Sequence, residues 1–281
     1  MAEAVLTVKD RIIRASDVRD EWGLNLLIYG DPGVGKTTLC STAQESAHGK
    51  DVLFLAAEPG TRSIADRDDV KLISLLTYDD LKEIHEFLTE GEHSFRTIVI
   101  DSLTEVQRLA LESALQTAKD PAMPSINDYG RANELLIKAF RNYRNLAQDQ
   151  GWTVIFTALA RDVKDESTGG ISCWPALSPK AAEMVCGSVD AIGHMALNKD
   201  GARVLRFVRN GPYIAKMRQP HKGPQIPQEF VAPHLGKIID TLHNGGEFSD
   251  SKPKAVEGVV GVPQPAKPPA SAKKTVQPAK K

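Results

Sequence analysis

The run Gly30-Asp31-Pro32-Gly33-Val34-Gly35-Lys36-Thr37 carries glycines, a lysine and a hydroxyl at the spacing G-x-x-x-x-G-K-[ST], a combination that binds polyphosphate. Its glycines let successive backbone N–H groups turn inward on phosphate oxygens. Lys36 is expected to reach the β- and γ-phosphates of ATP, Thr37 to hold Mg²⁺, and Thr38 to extend the cradle. A second carboxylate for the metal is available at Asp101, which closes the apolar run Thr97-Ile98-Val99-Ile100. The plainer reading of an Asp at a strand end is a helix N-cap, a duty Ser102 could share. Because Ser102 follows Asp101, the catalytic base must come from elsewhere. Glu58 is the candidate, since it ends an apolar run expected to lie beside the strand that leads into the glycine-rich loop.

These residues need a scaffold that brings strand ends together, and the hydrophobic pattern supplies one. Apolar, β-rich runs at 24–29, 52–57, 70–75, 97–100 and 153–157 alternate with amphipathic stretches at 36–47, 79–89, 102–118 and 129–148. That alternation predicts an α/β fold with a mainly parallel sheet covered by helices on both faces. Residues 161–178 are polar and glycine-containing, and read as a long irregular loop. A short helix is expected after Pro179. Strands at 191–196, 204–208 and 213–217 then form a C-terminal antiparallel meander, with Asn198-Lys199-Asp200-Gly201 as a hairpin turn.

The arrangement of Gly30–Thr37, Ala57-Glu58 and Ile98-Val99-Ile100-Asp101-Ser102 resembles the RecA-type P-loop NTPase core across about residues 20–220. That resemblance implies that Glu58 is the base and Asp101 the Mg²⁺ carboxylate. It also implies a γ-phosphate sensor, commonly Gln or His, where this chain has Leu159; Thr157 is the candidate substitute. The late run Tyr213-Ile214-Ala215-Lys216-Met217-Arg218 resembles the Lys-x-Arg pair of DnaB-like rings, which implies that Lys216 and Arg218 act catalytically on the nucleotide of a neighbouring copy. Alternation along a strand puts both on one face, as that contact needs. The whole chain is similar to phage nucleotide-binding proteins related to RecA, including single-strand annealing recombinases. The resemblance implies a homo-oligomer, ring or filament, that binds single-stranded DNA through segments 119–130 and 161–180, with a single-strand-binding or replication protein as a further partner. Those segments are not strongly basic, since Arg161, Lys164 and Lys180 are offset by Asp162, Asp165 and Glu166. Trp174 is a candidate for base stacking or simply for packing.

Composition bounds the remaining possibilities. A chain of 281 residues, 41% hydrophobic, can bury one full core, expected over 23–248 after a 1–22 leading segment. From residue 251 onward seven Lys stand against the single Glu257, a balance of +6, which leaves the rest of the chain at −7. The 249–281 tail is rich in Pro, Ala and Lys and is expected to be disordered. No apolar run approaches the roughly 20 residues that span a bilayer, and the start has no signal-peptide pattern. A cytoplasmic location is therefore expected, that of a bacterial host if the chain is phage-encoded. Cys40, Cys173 and Cys186 show no metal or disulfide spacing. A GTPase would need Asn-Lys-x-Asp, and Asn198-Lys199-Asp200 is mis-spaced. A small-molecule kinase would show an arginine-rich lid. The rival from another class is a slowly hydrolysing, nucleotide-gated interaction protein that controls assembly with a replication or packaging partner.

Overall fold

Strand β1 (Leu24–Gly30) is apolar on both sides, as a strand covered by helices on both faces must be. Leu27 and Tyr29 enter one core with α2 (Tyr78–Glu90), α3 (Leu103–Leu115), α4 (Ile126–Gln150) and α5 (Pro179–Ser188). Leu26 and Ile28 enter the other, against α1 (Lys36–Ser41) and α6 (Leu235–Asn244). The same alternation runs through β2 (Val52–Ala56) and β4 (Thr97–Asp101). The computed structural model describes residues 23–164, 169–218 and 227–244 together with Ile12. The rest of the expected leading segment, and the whole basic tail, lie outside the described residues. No described helix is long and apolar enough to cross a membrane.

Strands β3 (Lys71–Ser74), β5 (Thr153–Lys164), β7 (Ala191–Leu197), β8 (Arg203–Arg206) and β10 (Glu229–Val231) complete the main sheet, ordered β10-β8-β7-β1-β5-β4-β2-β3. Every pairing from β7 through to β3 is parallel, so the strands end together on one edge of the sheet. The α/β expectation holds. Helix boundaries follow local chemistry: Thr77 with Asp80 and Ser125 with Asp128 form reciprocal capping pairs at α2 and α4. Gly151 then ends α4 in the left-handed conformation.

Five expectations need correction. First, β2 does not lie beside β1; β5 and β4 stand between them. Second, the helix expected over 36–47 stops at Ser41 and tightens into a 3-10 turn, Thr42–Glu45. Third, the supposed loop 161–178 is largely a hairpin arm. β5 runs on to Lys164 and pairs antiparallel with β6 (Ile171–Pro175), leaving only residues 165–168 outside the described set. Fourth, the strand expected over 213–217 shrinks to β9 (Lys216–Met217), which pairs back to β7, while β10 takes the outer edge of β8. The C-terminal antiparallel extension is thus β7-β8-β10. Fifth, α6 had no counterpart in the expected elements; Leu235, Ile238 and Ile239 bury it against the 3-10 turn and α1.

An aromatic stack fastens β9's approach to the sheet. Tyr29 and His194 are register partners on β1 and β7, their rings 5.1 Å apart. Tyr213 lies nearly parallel to His194 at 3.9 Å. The Tyr29 hydroxyl donates to the carbonyls of Cys173 and Ile214. Burial, and secondarily the Arg206 guanidinium, push the His194 pKa down to about 4 from its ordinary 6.5. Between those values the unfolded chain binds a proton that the folded chain does not, so stability falls as pH drops from 6.5 toward 4. His194→Phe is expected to flatten that loss by on the order of 2–3 kcal/mol, read as the difference between the urea unfolding curves of the two proteins across that pH range.

Candidate active site

The phosphate loop leaves β1 at Gly30, where an added Cβ would come within 2.2 Å of the Met195 carbonyl oxygen, so no side chain fits. At Gly35, which caps α1, φ is 105°, a left-handed value that glycine accepts without strain. This bend turns the loop back on itself around Lys36. The Lys36 ammonium is buried and donates to the carbonyls of Gly30 and Asp31, each at 3.0 Å. Burial lowers its pKa from the ordinary lysine value, while the charges of Asp101 and Glu58 act in the opposite sense. Because α1 spans only six residues, an anion held here would depend on the loop's backbone N–H groups and on Lys36 more than on a helix dipole.

Asp101 is 6% exposed and does not cap a helix; that task belongs to Ser102, whose hydroxyl accepts from the Glu105 N–H. The Asp101 carboxylate accepts instead from Thr37 Oγ1 at 2.6 Å and from Thr157 Oγ1. Thr157 is therefore spent on Asp101, on the strand between the loop and β4, and the backbone N–H of Leu159 donates to Thr104. Glu58 reaches the same edge by another route than the one expected. Ala56 is the register partner of Asp101, the Ala57 N–H donates to the Asp101 carbonyl, and the Ser102 hydroxyl donates to Glu58 Oε1. The carboxylate thus stands beside Asp101 from the far side of β4.

One oxygen donor from Thr37 and one from Asp101 suit Mg²⁺, a hard cation that keeps most of its coordination for water and phosphate. No cluster of three or more His, Cys, Asp or Glu occurs among the described residues, so no all-protein metal cage competes with that arrangement. Lys216 and Arg218 are not brought to the loop of their own chain. β9 pairs with the start of β7, whereas Gly30 pairs with Met195 nearer its end. Both cations donate to the Gly187 carbonyl near the end of α5, and Arg218 also pairs with Asp190. Trp174 packs partly buried against the core and donates to Ser172.

Residues 23–219, well over half of the chain, match the family model described as an AAA domain. The chain belongs to that family. Membership makes it a nucleotide-binding P-loop ATPase domain, in keeping with the loop, the strand order and the buried Asp101. In this AAA domain Ser102, not a glutamate, follows Asp101, and the Ser102 hydroxyl bonds Glu58 two residues beyond β2. No curated protein of known function matches the chain. Arg203, which donates to the Val34 carbonyl of the loop at 3.0 Å, was not among the residues the sequence singled out. It lies on a strand far from the loop in sequence, and no local pattern marks it.

The Thr157–Asp101 bond gives a direct test. Thr157→Val keeps the shape and removes the donor from a buried carboxylate, so unfolding stability should fall by about 2 kcal/mol, measured by urea titration. An unchanged midpoint would show that Asp101 does not depend on that hydroxyl.

Proposed function

We propose that this AAA domain hydrolyses ATP with Mg²⁺ at the shared edge of β1, β4 and β2, and couples that cycle to single-stranded DNA. The observation that carries the ATPase reading is the bond of Thr37 to Asp101, with Lys36 next to Thr37 in the loop and Glu58 bonded to Ser102 next to Asp101. Lys36 would exchange the Gly30 and Asp31 carbonyls for β- and γ-phosphate oxygens. Thr37 and Asp101 would hold Mg²⁺, which supplies charge neutralisation on the β- and γ-phosphates. Glu58, oriented by Ser102, would accept a hydrogen bond from the attacking water. Lys36→Ala should abolish phosphate release and greatly weaken ATP binding. Glu58→Gln should keep ATP affinity while lowering kcat by about 10²-fold. A joint fall in binding and turnover would make Glu58 structural.

Support for the DNA reading comes from the same edge. Tyr129 of segment 119–130 and Ser178 of segment 161–180 line one groove of about 280 Å³, where the Ser178 N–H donates to Gln107 and its hydroxyl bonds Asn133. Tyr129 is exposed there, as are Met123 and Ile126 earlier in the same segment. The resemblance to phage RecA-like proteins supports the same reading, in which Lys216 and Arg218 would act on the nucleotide of a neighbouring copy. Single-stranded DNA binding should therefore be salt-sensitive and stronger with a non-hydrolysable ATP analogue, in a salt titration read by fluorescence anisotropy. The rival reading, a nucleotide-gated interaction protein, is favoured by Leu159 at the sensor position and by the engagement of Thr157 with Asp101. It gains if nucleotide leaves DNA binding unchanged.

A further inference from the structure

The hairpin between β7 and β8 and the segment after β10 form one wall of a cleft of about 380 Å³; the phosphate loop and α1 form the other. The cleft opens at Gly35 and Thr38, so it continues directly from the place where phosphates would sit. Leu39, Met195, Ala232 and Pro233 make its lining mostly apolar. Thr42 adds little polarity, because its hydroxyl donates to the Leu39 carbonyl and accepts from the Leu235 N–H. A space of this size and character suits a flat, apolar-faced group with few edge contacts.

Arg203 stands at the mouth. Its Nε donates to Val34 of the loop, and a Cβ on Gly35 would lie 2.6 Å from that nitrogen. Only a glycine lets the guanidinium approach so closely. Arg206 pairs with Glu229 and Arg218 with Asp190, but among the described residues no carboxylate pairs with Arg203. Its backbone is held from within the same wall: Ala232 adopts φ 50°, which a non-glycine residue takes only when its surroundings enforce it, and donates its N–H to the Arg203 carbonyl at 2.8 Å. A planar cation is thus fixed between the phosphate loop and an apolar slot.

We propose that Arg203 binds the nucleoside half of the nucleotide by packing its guanidinium on the face of the base, which enters the cleft. The inference rests on the reading of the loop as a nucleoside-triphosphate site. Guanidinium groups stack on aromatic faces where ammonium groups do not, and a stacked base adds cation–π attraction. Every base offers such a face, so the contact strengthens binding without selecting strongly between adenine and guanine.

The test is isothermal titration of the full chain with the Mg²⁺ complexes of ATP, GTP and inorganic triphosphate. Arg203→Ala should weaken ATP and GTP alike by about tenfold, while triphosphate binding stays within about twofold. Arg203→Lys should stay close to Arg203→Ala, because the charge returns without the plane. A parallel loss of triphosphate binding would overturn the proposal and assign Arg203 to the phosphate loop, and unchanged ATP affinity would also overturn it. Full rescue by lysine would replace stacking with simple charge. Lys36→Ala serves as the control for the underlying reading: if it binds all three compounds like the unaltered chain, or if the unaltered chain binds none, the nucleotide site itself fails.

Discussion

Asp101 puts a carboxylate at 6% exposure on the end of β4, where an unpartnered charge would cost several kcal/mol. Two hydroxyls answer it, Thr37 from the start of α1 and Thr157 from β5. They come from different elements, so the carboxylate is satisfied only if β1, β5 and β4 end in step. The observed register meets that demand, with Gly30 opposite Leu159 and Ile100 opposite Phe156. A one-residue slip would turn Thr157 to the other face and leave Asp101 without that donor. The phosphate loop is therefore positioned by the same bonds that neutralise a buried charge.

Around that junction the charges are arranged for a polyanion. Lys36 is held by two carbonyls of its own loop, weak acceptors compared with phosphate oxygens, so its bonds can be exchanged with little movement. Glu58 accepts from the Ser102 hydroxyl at the same edge of the sheet. Glu58, two residues beyond the strand next to Asp101, is thus tied to that edge through Ser102, the residue that follows Asp101. On the opposite side of the loop, Arg203 adds a cation from a strand that the nucleotide chemistry does not otherwise use.

The loop and the Asp101 strand were legible because both signals are local: a fixed spacing of Gly, Lys and Thr, and an apolar run that stops at an acid. The alternation of strands and helices was legible for the same reason. Strand order was not, and the reasoning that brought Glu58 to the site through a strand next to β1 was wrong although Glu58 does reach that edge. Its neighbour is β4, a fact set by packing across the sheet and not by any run of residues. The hairpin arm of β5 and β6 was missed because the β5 residues beyond Ala160 are mostly polar and only partly buried, so no continuous apolar run marks it. Helix α6 was missed because its apolar stripe of Leu235, Ile238 and Ile239 is short, and Arg203 because its partner Val34 lies 169 residues away in the sequence.

A crystal structure of the chain with Mg²⁺ and a non-hydrolysable ATP analogue tests the central claim most directly. The account predicts β- and γ-phosphates on the backbone N–H groups of Gly33 to Thr38, with Lys36 transferred from the Gly30 and Asp31 carbonyls to phosphate oxygens. It also predicts Thr37 turned from Asp101 to the metal. Phosphates bound elsewhere, or a loop that keeps Lys36 on its own carbonyls while the analogue is present, would contradict it.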